Sequence, residues 1–464
     1  MKPLQQLYKL VAYADDVKPS ITTMHEFYVV DNACSILEKA SGVKLHRNPA
    51  AGKVKFLPLG RWKGTLTKED HPHQYVTLSD YLDFVEVELR DTFIQTRKTN
   101  GDQLQSRIKN TIGPWKTGKF MPLTLRPYSA NTYALSKVWF KCSSINLRAQ
   151  DVNTINSQVK SWLYQDCFEK PSEIVLFRDN TVGGLGLLNV KIRALALLIR
   201  SFLETALHPA FRHSLYHEAL FRYHVLTDDS LPNPGFPPYY DAEFFNTIKH
   251  YHETSPMNIA VMTIKEWYRV LLDDQVLMNN NGNMASSLVP VRVEELSPET
   301  DWSVTWSLAR LKGLDSDLTA FLFKLLHCLL PSQDRVSRIT RIQTQNIGLC
   351  LLCHTEVEDL QHAFFSCRHS CVAGLALLGY LQVLCPNISQ EDALHLQLGH
   401  DLAVQEQLAA VCLLATGLQY IWSTRVEKKS VILFKMRSEI EAKISVLRRT
   451  RYSGAGDKIA EMIR

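Results

Sequence analysis

The pattern of apolar positions predicts a short hairpin at the start of the chain. Leu10, Val11 and Ala12 lead into a polar turn, Tyr13-Ala14-Asp15-Asp16, and Val17 begins the return strand. Val30, Ile36 and Leu37 then predict a helix, and Val54, Phe56 and Leu57 a short apolar run. The alternation Leu82-Asp83-Phe84-Val85-Glu86-Val87-Glu88-Leu89 reads as one strand ending at Arg90. From Gly101 onward the period changes: Leu104, Ile108, Ile112 and Trp115 recur at helical spacing, which leaves Arg107, Lys109, Lys116 and Lys119 to face water. A second apolar pattern runs from Met121 to Leu135.

Residues 136–207 read as largely helical, broken at Pro171 and at Gly183-Gly184-Leu185-Gly186-Leu187-Leu188, with an apolar, buried helix over Leu195–Leu207. The glycine run lacks a following Lys-Ser/Thr and the spacing of a dinucleotide fingerprint, so it predicts a tight turn into the next helix rather than a phosphate loop. Leu231–Pro238 and Asn279–Ser287 read as linkers. Near the end, Leu433, Met436, Ile440, Ile444 and Leu447 fall at steps of three and four, an amphipathic helix with Lys435, Arg437, Lys443, Arg448 and Arg449 on its other faces.

The chain has 464 residues, 45% hydrophobic and 21% charged, which is a folded globular composition with room for two to four domains. Ten cysteines without a charged-then-apolar leader point to a reducing compartment and no signal peptide. No transmembrane segment is expected: Val372–Leu384 is too short to span, and Leu402–Trp422 carries Gln405, Glu406, Gln407 and Gln419. The formal charge of +5 is unevenly placed. Arg97–Arg126 holds seven lysines and arginines against Asp102, and Arg425–Arg451 holds nine against three glutamates. Such blocks suit contact with phosphate, although a single run is more often a solvated face.

Two constellations carry chemistry. Asp15 and Asp16 at a hairpin tip are hard oxygen ligands suited to Mg²⁺, and a two-metal pair there would clamp the attacking and leaving oxygens of nucleotidyl transfer. An ordinary solvated turn is the bland alternative. Cys350-Leu-Leu-Cys353, then His362 and Cys367, has the spacing of a closed Cys₃His zinc site, which is structural rather than hydrolytic. His354, His369 and Cys371 lie close enough in sequence to substitute for a ligand. Cys34, Cys142, Cys167, Cys328, Cys385 and Cys412 sit apart and read as packing residues. Trp115 and Phe120 are read as core residues, with stacking on bases as the alternative.

Tyr13-Ala14-Asp15-Asp16 resembles the palm motif of reverse transcriptases. Together with Phe56-Leu57-Pro58-Leu59-Gly60-Arg61-Trp62, Ser161-Trp162-Leu163, the Gly-Gly-Leu-Gly-Leu run, Trp302, Trp306, Asp334-Arg335 and Glu358-Asp359-Leu360-Gln361-His362, the chain looks like the carboxy-terminal half of a LINE-type (non-LTR, Tx-like) retrotransposon reverse transcriptase. The resemblance implies a mainly α fold with a small α/β part. Its parts are a partial palm (1–95), a thumb-like helical region (96–175), a helical connector (176–298), a zinc-binding region (299–375) and a basic helical carboxy terminus (376–464).

It also implies RNA-directed DNA synthesis at a nicked target by the intact enzyme. Asp15 and Asp16 then bind Mg²⁺ as remnant catalytic carboxylates, and Cys350, Cys353, His362 and Cys367 hold a structural Zn²⁺. Arg107, Lys109, Lys116, Lys119, Lys428, Lys429, Arg448 and Arg449 are placed on element RNA or target-site DNA. A nuclear or cytoplasmic ribonucleoprotein location follows, with no membrane partner and with the remainder of the same polyprotein as a possible partner.

The chain departs from the family in two ways. The residues before the motif do not supply the fingers or the strand with a third metal-binding carboxylate, so this chain alone is expected to be inactive as a polymerase. The alternative is a non-catalytic, zinc-stabilised nucleic-acid-binding protein. Glu86 also stands where the family more often has glycine, at the bend that holds the primer end.

Overall fold

A computed structural model gives the fold and describes residues 10–13, 16–19, 23–42, 44, 54–59, 62–67, 73–84, 86–115, 121–165, 170–208, 242–254, 258–279, 300–340, 348–399 and 402–464. It is mainly helical with a small sheet part. In chain order come β1 (Leu10–Tyr13), β2 (Asp16–Pro19), α1 (Met24–Ser41), β3 (Lys55–Phe56), β4 (Thr77–Leu78), β5 (Tyr81–Phe84), β6 (Val87–Arg90) and α2 (Phe93–Ile112). The helices continue as α3 (Arg126–Ser129), a π-helical stretch (Ala130–Leu135), α4 (Ser136–Ser144), α5 (Ala149–Leu163), α6 (Glu173–Phe177), α7 (Val190–Ala206), α8 (Ala242–Thr254) and α9 (Ile264–Asn279). Then follow α10 (Trp302–Leu308), α11 (Ser316–Leu326), α12 (Gln333–Thr340), a π-helical turn (His362–Ser366), α13 (Cys371–Leu381), α14 (Gln390–Leu394), α15 (Val404–Val426), α16 (Leu433–Arg448) and α17 (Ser453–Met462).

These elements form two compact units. The first takes Met1–Asn110, Ser136–Asn156 and Val190–Val270, and the second Thr111–Leu135, Ser157–Asn189 and Leu271–Arg464.

In the first unit, β1 and β2 pair antiparallel with Tyr13 opposite Asp16, as the apolar-polar-apolar pattern predicts. A capping box starts α1: the Glu26 carboxylate accepts from the Thr23 amide at 3.1 Å. Phe27 on that helix packs against Phe56 and Trp62. The stretch read as one strand from Leu82 to Arg90 is instead the hairpin β5–β6, with Phe84 opposite Val87. Alternation alone cannot distinguish a continuous strand from two short ones. The reversal depends on Glu86, whose φ of 67° is left-handed. Glycine adopts that conformation without a Cβ clash, whereas Glu86 costs about 1–2 kcal/mol there.

Behind the hairpin, wholly buried Lys141 donates to Asn100 Oδ1 at 2.9 Å and Gln103 Oε1 at 2.7 Å, while Asn100 Nδ2 donates to the Glu88 carbonyl at 2.7 Å. Burial, with the nearby Arg107, lowers the Lys141 pKa against the pull of Glu86, Glu88 and Asp83. The apolar helix expected over 195–207 is α7, buried along one side through Ile199, Phe202 and Leu203.

The second unit contains one continuous apolar core from Trp302 to Ile463. Its centre is α15, buried on nearly every side, which explains why its sequence shows an apolar run rather than a stripe. Two glycines set the helix contacts: a Cβ on Gly417 would meet Leu377 of α13 at 2.7 Å, and one on Gly374 would run into the Phe364 carbonyl. On α16, Met436, Ile440, Ile444 and Leu447 are buried as their spacing predicts, while Leu433 stays exposed.

The glycine run is a turn, and the structure gives the reason for its composition. Gly183 has φ 82°, and a Cβ on it would run into the Trp306 ring; one on Gly184 would hit the Arg178 carbonyl. Two carbonyls thereby exposed are satisfied inside the unit. His327 Nε2 donates to Gly183 O at 2.7 Å while its ring stacks on Trp306, and Arg310 Nη2 donates to Gly184 O at 2.6 Å.

Burial drives the His327 pKa down to about 4, the Gly183 carbonyl opposing and Arg178 and Arg310 assisting. An unfolded histidine titrates near 6.5, so the unfolded chain binds the extra proton and stability falls as pH drops from about 6.5 to 4. Between pH 7 and pH 4, wild type is expected to lose about 3 kcal/mol more than His327→Gln in urea unfolding. Parallel losses would show that the ring does not stay neutral.

Candidate metal centre

The metal-ligand cluster begins with a small antiparallel hairpin. Leu349 pairs with Val357, the Cys350 amide donates to Glu356 O at 2.8 Å, and the Glu358 amide donates to Gly348 O at 2.8 Å. Between those strands the Cys-x-x-Cys turn closes through His354 N to Cys350 O at 3.0 Å, and the Leu352 amide points at Cys350 Sγ at 3.4 Å. His354 itself takes φ 58°, which turns the chain back after the second cysteine and leaves the ring exposed.

The other two ligands are the ends of one π-helical turn. Asp359 caps it by accepting from the His362 amide at 2.6 Å, and the Cys367 amide donates to His362 O at 2.9 Å. An i to i+5 bond is the signature of that turn, so the five-residue spacing is what brings His362 and Cys367 to one side. Phe364 and Phe365, within the turn, anchor it in the core.

The ligand atoms of Cys350, Cys353, His362 and Cys367 lie within 4.8 Å of one another, and all four residues are buried. Cys350 Sγ and Cys367 Sγ are 3.8 Å apart, and Cys353 Sγ and His362 Nε2 are 3.4 Å apart. The edge of a tetrahedron with metal–sulfur bonds of about 2.3 Å is about 3.8 Å, so these separations match a four-coordinate ion. The cluster can hold a metal ion. His362 directs Nε2 inward because Nδ1 pairs with Glu356 Oε2 at 2.9 Å, the outer carboxylate that commonly orients a ligating histidine.

The thiols differ in proton affinity. Burial pushes Cys350 up to about 11. Burial also raises Cys353, but the Thr355 hydroxyl, the amides of Thr355 and Glu356, and His362 outweigh it and bring the thiol down to about 6.

The alternatives left open by sequence lie outside the cluster. His354 is exposed, His369 contacts Ser430 Oγ at 3.1 Å and Arg368 Nε at 3.2 Å, and Cys371 opens α13.

The cluster is tied to the helical core by an ion pair that no local pattern along the chain signals. Glu358 is wholly buried and bonded to buried Arg425 of α15; it also accepts from Gln333 N at 2.9 Å and Leu351 N at 3.2 Å. Arg425 lies against the Trp422 ring at 4.3 Å. Counting Arg425 with the basic run was therefore mistaken, since its charge is spent internally. The loop after α15 returns to the segment that follows Cys367: the Val431 amide donates to His369 O at 3.1 Å. Lys428 and Lys429 project from this loop into solvent, Lys428 at φ 57° and Lys429 beside Glu427 at 2.7 Å. Exposed Arg368 donates to Cys353 O at 3.4 Å on the same side of the sequence cluster.

The remaining candidates are dispersed. Arg107 pairs with Glu86 at 3.0 Å and Lys109 is exposed. Arg126, counted in the first basic run, is buried and bonded to the carbonyls of Met121, Leu163 and Gln165. Lys443 of the second run pairs with Asp315, and Arg448 with Asp457 at 2.8 Å, leaving Arg449 exposed. Trp115 packs against Trp162 and Tyr133, which favours its reading as a packing residue. Asp16 opens β2, while Ala14, Asp15, Lys116, Lys119, Phe120 and Cys167 lie outside the described residues, as does the Leu231–Pro238 linker.

No family model matches the chain, and a comparison with curated proteins returns no match. Among the described residues no helix is long and apolar enough to cross a membrane.

Proposed function

We propose that the chain is a zinc-stabilised nucleic-acid-binding protein, the carboxy-terminal part of a LINE-type RNA-directed DNA polymerase, acting here by binding rather than by nucleotidyl transfer. The observation that carries this reading is the closed Cys350, Cys353, His362, Cys367 cluster, with the loop that carries Lys428 and Lys429 bonded to the segment just after Cys367. Three thiolates and an imidazole at tetrahedral separations favour Zn²⁺, and four protein ligands leave no position for water, so the ion is structural. Three thiolates around Zn²⁺ carry net charge −1, which repels phosphate. Attraction must come from the basic residues around the centre, and Arg368, Lys428 and Lys429 supply it, with Lys109 and Arg107 in the other unit. Asp15 and Asp16 are the residues that would hold Mg²⁺, an ion able to bridge phosphate oxygens in the intact enzyme.

The test is binding of a fluorescent single-stranded RNA and of a DNA duplex between 50 and 200 mM salt. Affinity is expected to fall steeply, and Lys428→Gln with Lys429→Gln to flatten the log–log slope by about 1.4–1.8. Salt-independent affinity, or a double variant with an unchanged slope, would remove the nucleic-acid reading. A primer-extension assay with Mg²⁺ is expected to show no product; extension abolished by Asp15→Asn would return the chain to the polymerases.

A further inference from the structure

Along α16, from Arg437 to Arg449, residues 460–464 at the end of α17 complete an open cleft of about 420 Å³. Ile444, Ala460 and Ile463 contribute to its lining, Ile444 and Ile463 being buried in the core. Arg437, Arg448, Arg449 and Arg464 line it together with the side chains of Glu441 and Ser445. Gly456 allows this closeness: a Cβ there would meet Arg448 Cγ at 3.1 Å and Ile444 O at 3.2 Å.

Internal pairing accounts for half of that charge. Arg437 pairs with Glu441 at 3.2 Å and Arg448 with Asp457 at 2.8 Å. Among the described residues the side chains of Arg449 and Arg464 have no ionic partner. A cation near the last turn of a helix complements its dipole, which offers a structural reason for Arg448, Arg449 and Arg464. It offers none for Arg437, three turns earlier, and it does not explain why Arg449 and Arg464, neither of them ion-paired among the described residues, line the same cleft.

We propose that this cleft binds a nucleoside phosphate. Guanidinium forks match the oxygens of a phosphate group with paired charge-assisted hydrogen bonds. The exposed guanidinium faces can stack on a base. The volume suits one such unit, lying within the usual range for small-ligand sites. Free nucleotide and the phosphorylated end of a strand share this chemistry. The inference rests on the cleft itself and is independent of the Lys428–Lys429 face.

The experiment uses the full zinc-loaded chain titrated with adenosine monophosphate, adenosine and inorganic phosphate, and with a short oligonucleotide bearing either a 5′-phosphate or a 5′-hydroxyl. Adenosine monophosphate is expected to bind about ten-fold or more tightly than adenosine or phosphate alone, and Arg449→Gln with Arg464→Gln to reduce that affinity about ten-fold. Thermal melting and zinc content of the variant should match wild type, and Lys428→Gln with Lys429→Gln should leave adenosine monophosphate binding intact. A 5′-phosphate increment lost in the arginine variant identifies the strand end as the source; binding of the monophosphate without that increment identifies free nucleotide. Equal binding of adenosine and its monophosphate, or unchanged affinity in the arginine variant, overturns the proposal. Salt-dependent binding of the hydroxyl oligonucleotide in the same preparation would then leave the nucleic-acid reading standing.

Discussion

Removing the metal is expected to unfold the knuckle, residues 348–358, while the helical core stays intact. Apart from its thiols the cluster has little apolar interior: among the described residues Leu352 is the apolar side chain packed against Cys350, Cys353 and Cys367. Its hairpin is held by a few backbone bonds and by the Glu358–Arg425 pair, which do not by themselves offset the conformational entropy of ordering the segment. A structural zinc site supplies an apparent 10–16 kcal/mol in zinc-finger peptides, the largest favourable contribution open to the knuckle. Phe364 and Phe365 belong to the helical core, so the π turn should remain tethered while the knuckle opens.

Chelation, or Cys353→Ser, should therefore abolish amide exchange protection at Cys350, His354 and Glu358 and leave α15 protected. Helical circular dichroism should change little. Metal analysis should find about one equivalent bound to wild type and little to Cys353→Ser. With Cys350 raised to about 11, its proton is still bound at neutral pH, so metal uptake should also release acid into a weakly buffered solution. A metal-free chain with undiminished protection across the knuckle would show that the four residues are a packed cysteine cluster and no more.

What sequence could reveal followed the range of the interactions involved. The metal ligands were legible because cysteine and histidine are rare and the Cys-x-x-Cys turn is local. The buried positions of α2 and α16 were legible for a similar reason, since a helix repeats its burial every three or four residues. Glycine's role at Gly183 was half legible: the turn could be read, but its cause, the ring of Trp306, lies far along the chain. The alternation hides the β5–β6 reversal because the local signal expected for it is glycine and Glu86 occupies the left-handed position instead; the bend at Glu86 was legible only through the family resemblance. Charge was the least readable property. Arg126 and Arg425 count the same as any exposed arginine in a basic run, yet each is buried, with bonds to Leu163 and Gln165 or to Glu358 that span 37 or more residues.

Arg425→Met is expected to destabilise the chain by about 3–5 kcal/mol, because it strands a carboxylate in the interior. Glu358 is wholly buried, and after loss of the guanidinium only two amide donors, from Gln333 and Leu351, would face its oxygens. Glu358→Gln alone should also cost several kcal/mol, since its amide group must turn a donor toward a guanidinium or a backbone N–H. The double variant should be less damaged than the two single losses added together, since neither partner is left uncompensated. Arg425→Lys keeps the charge but not the planar group that lies over Trp422, so it should fall between wild type and Arg425→Met. The damage should reach the metal: Leu351 N is inside the Cys350–Cys353 turn, and loss of such an outer partner typically weakens metal binding about 10–100-fold. Urea unfolding of the four variants, with competitive zinc titration of each, tests both parts. A stable Arg425→Met protein that holds zinc as tightly as wild type would mean that the knuckle is positioned without the Glu358–Arg425 bond.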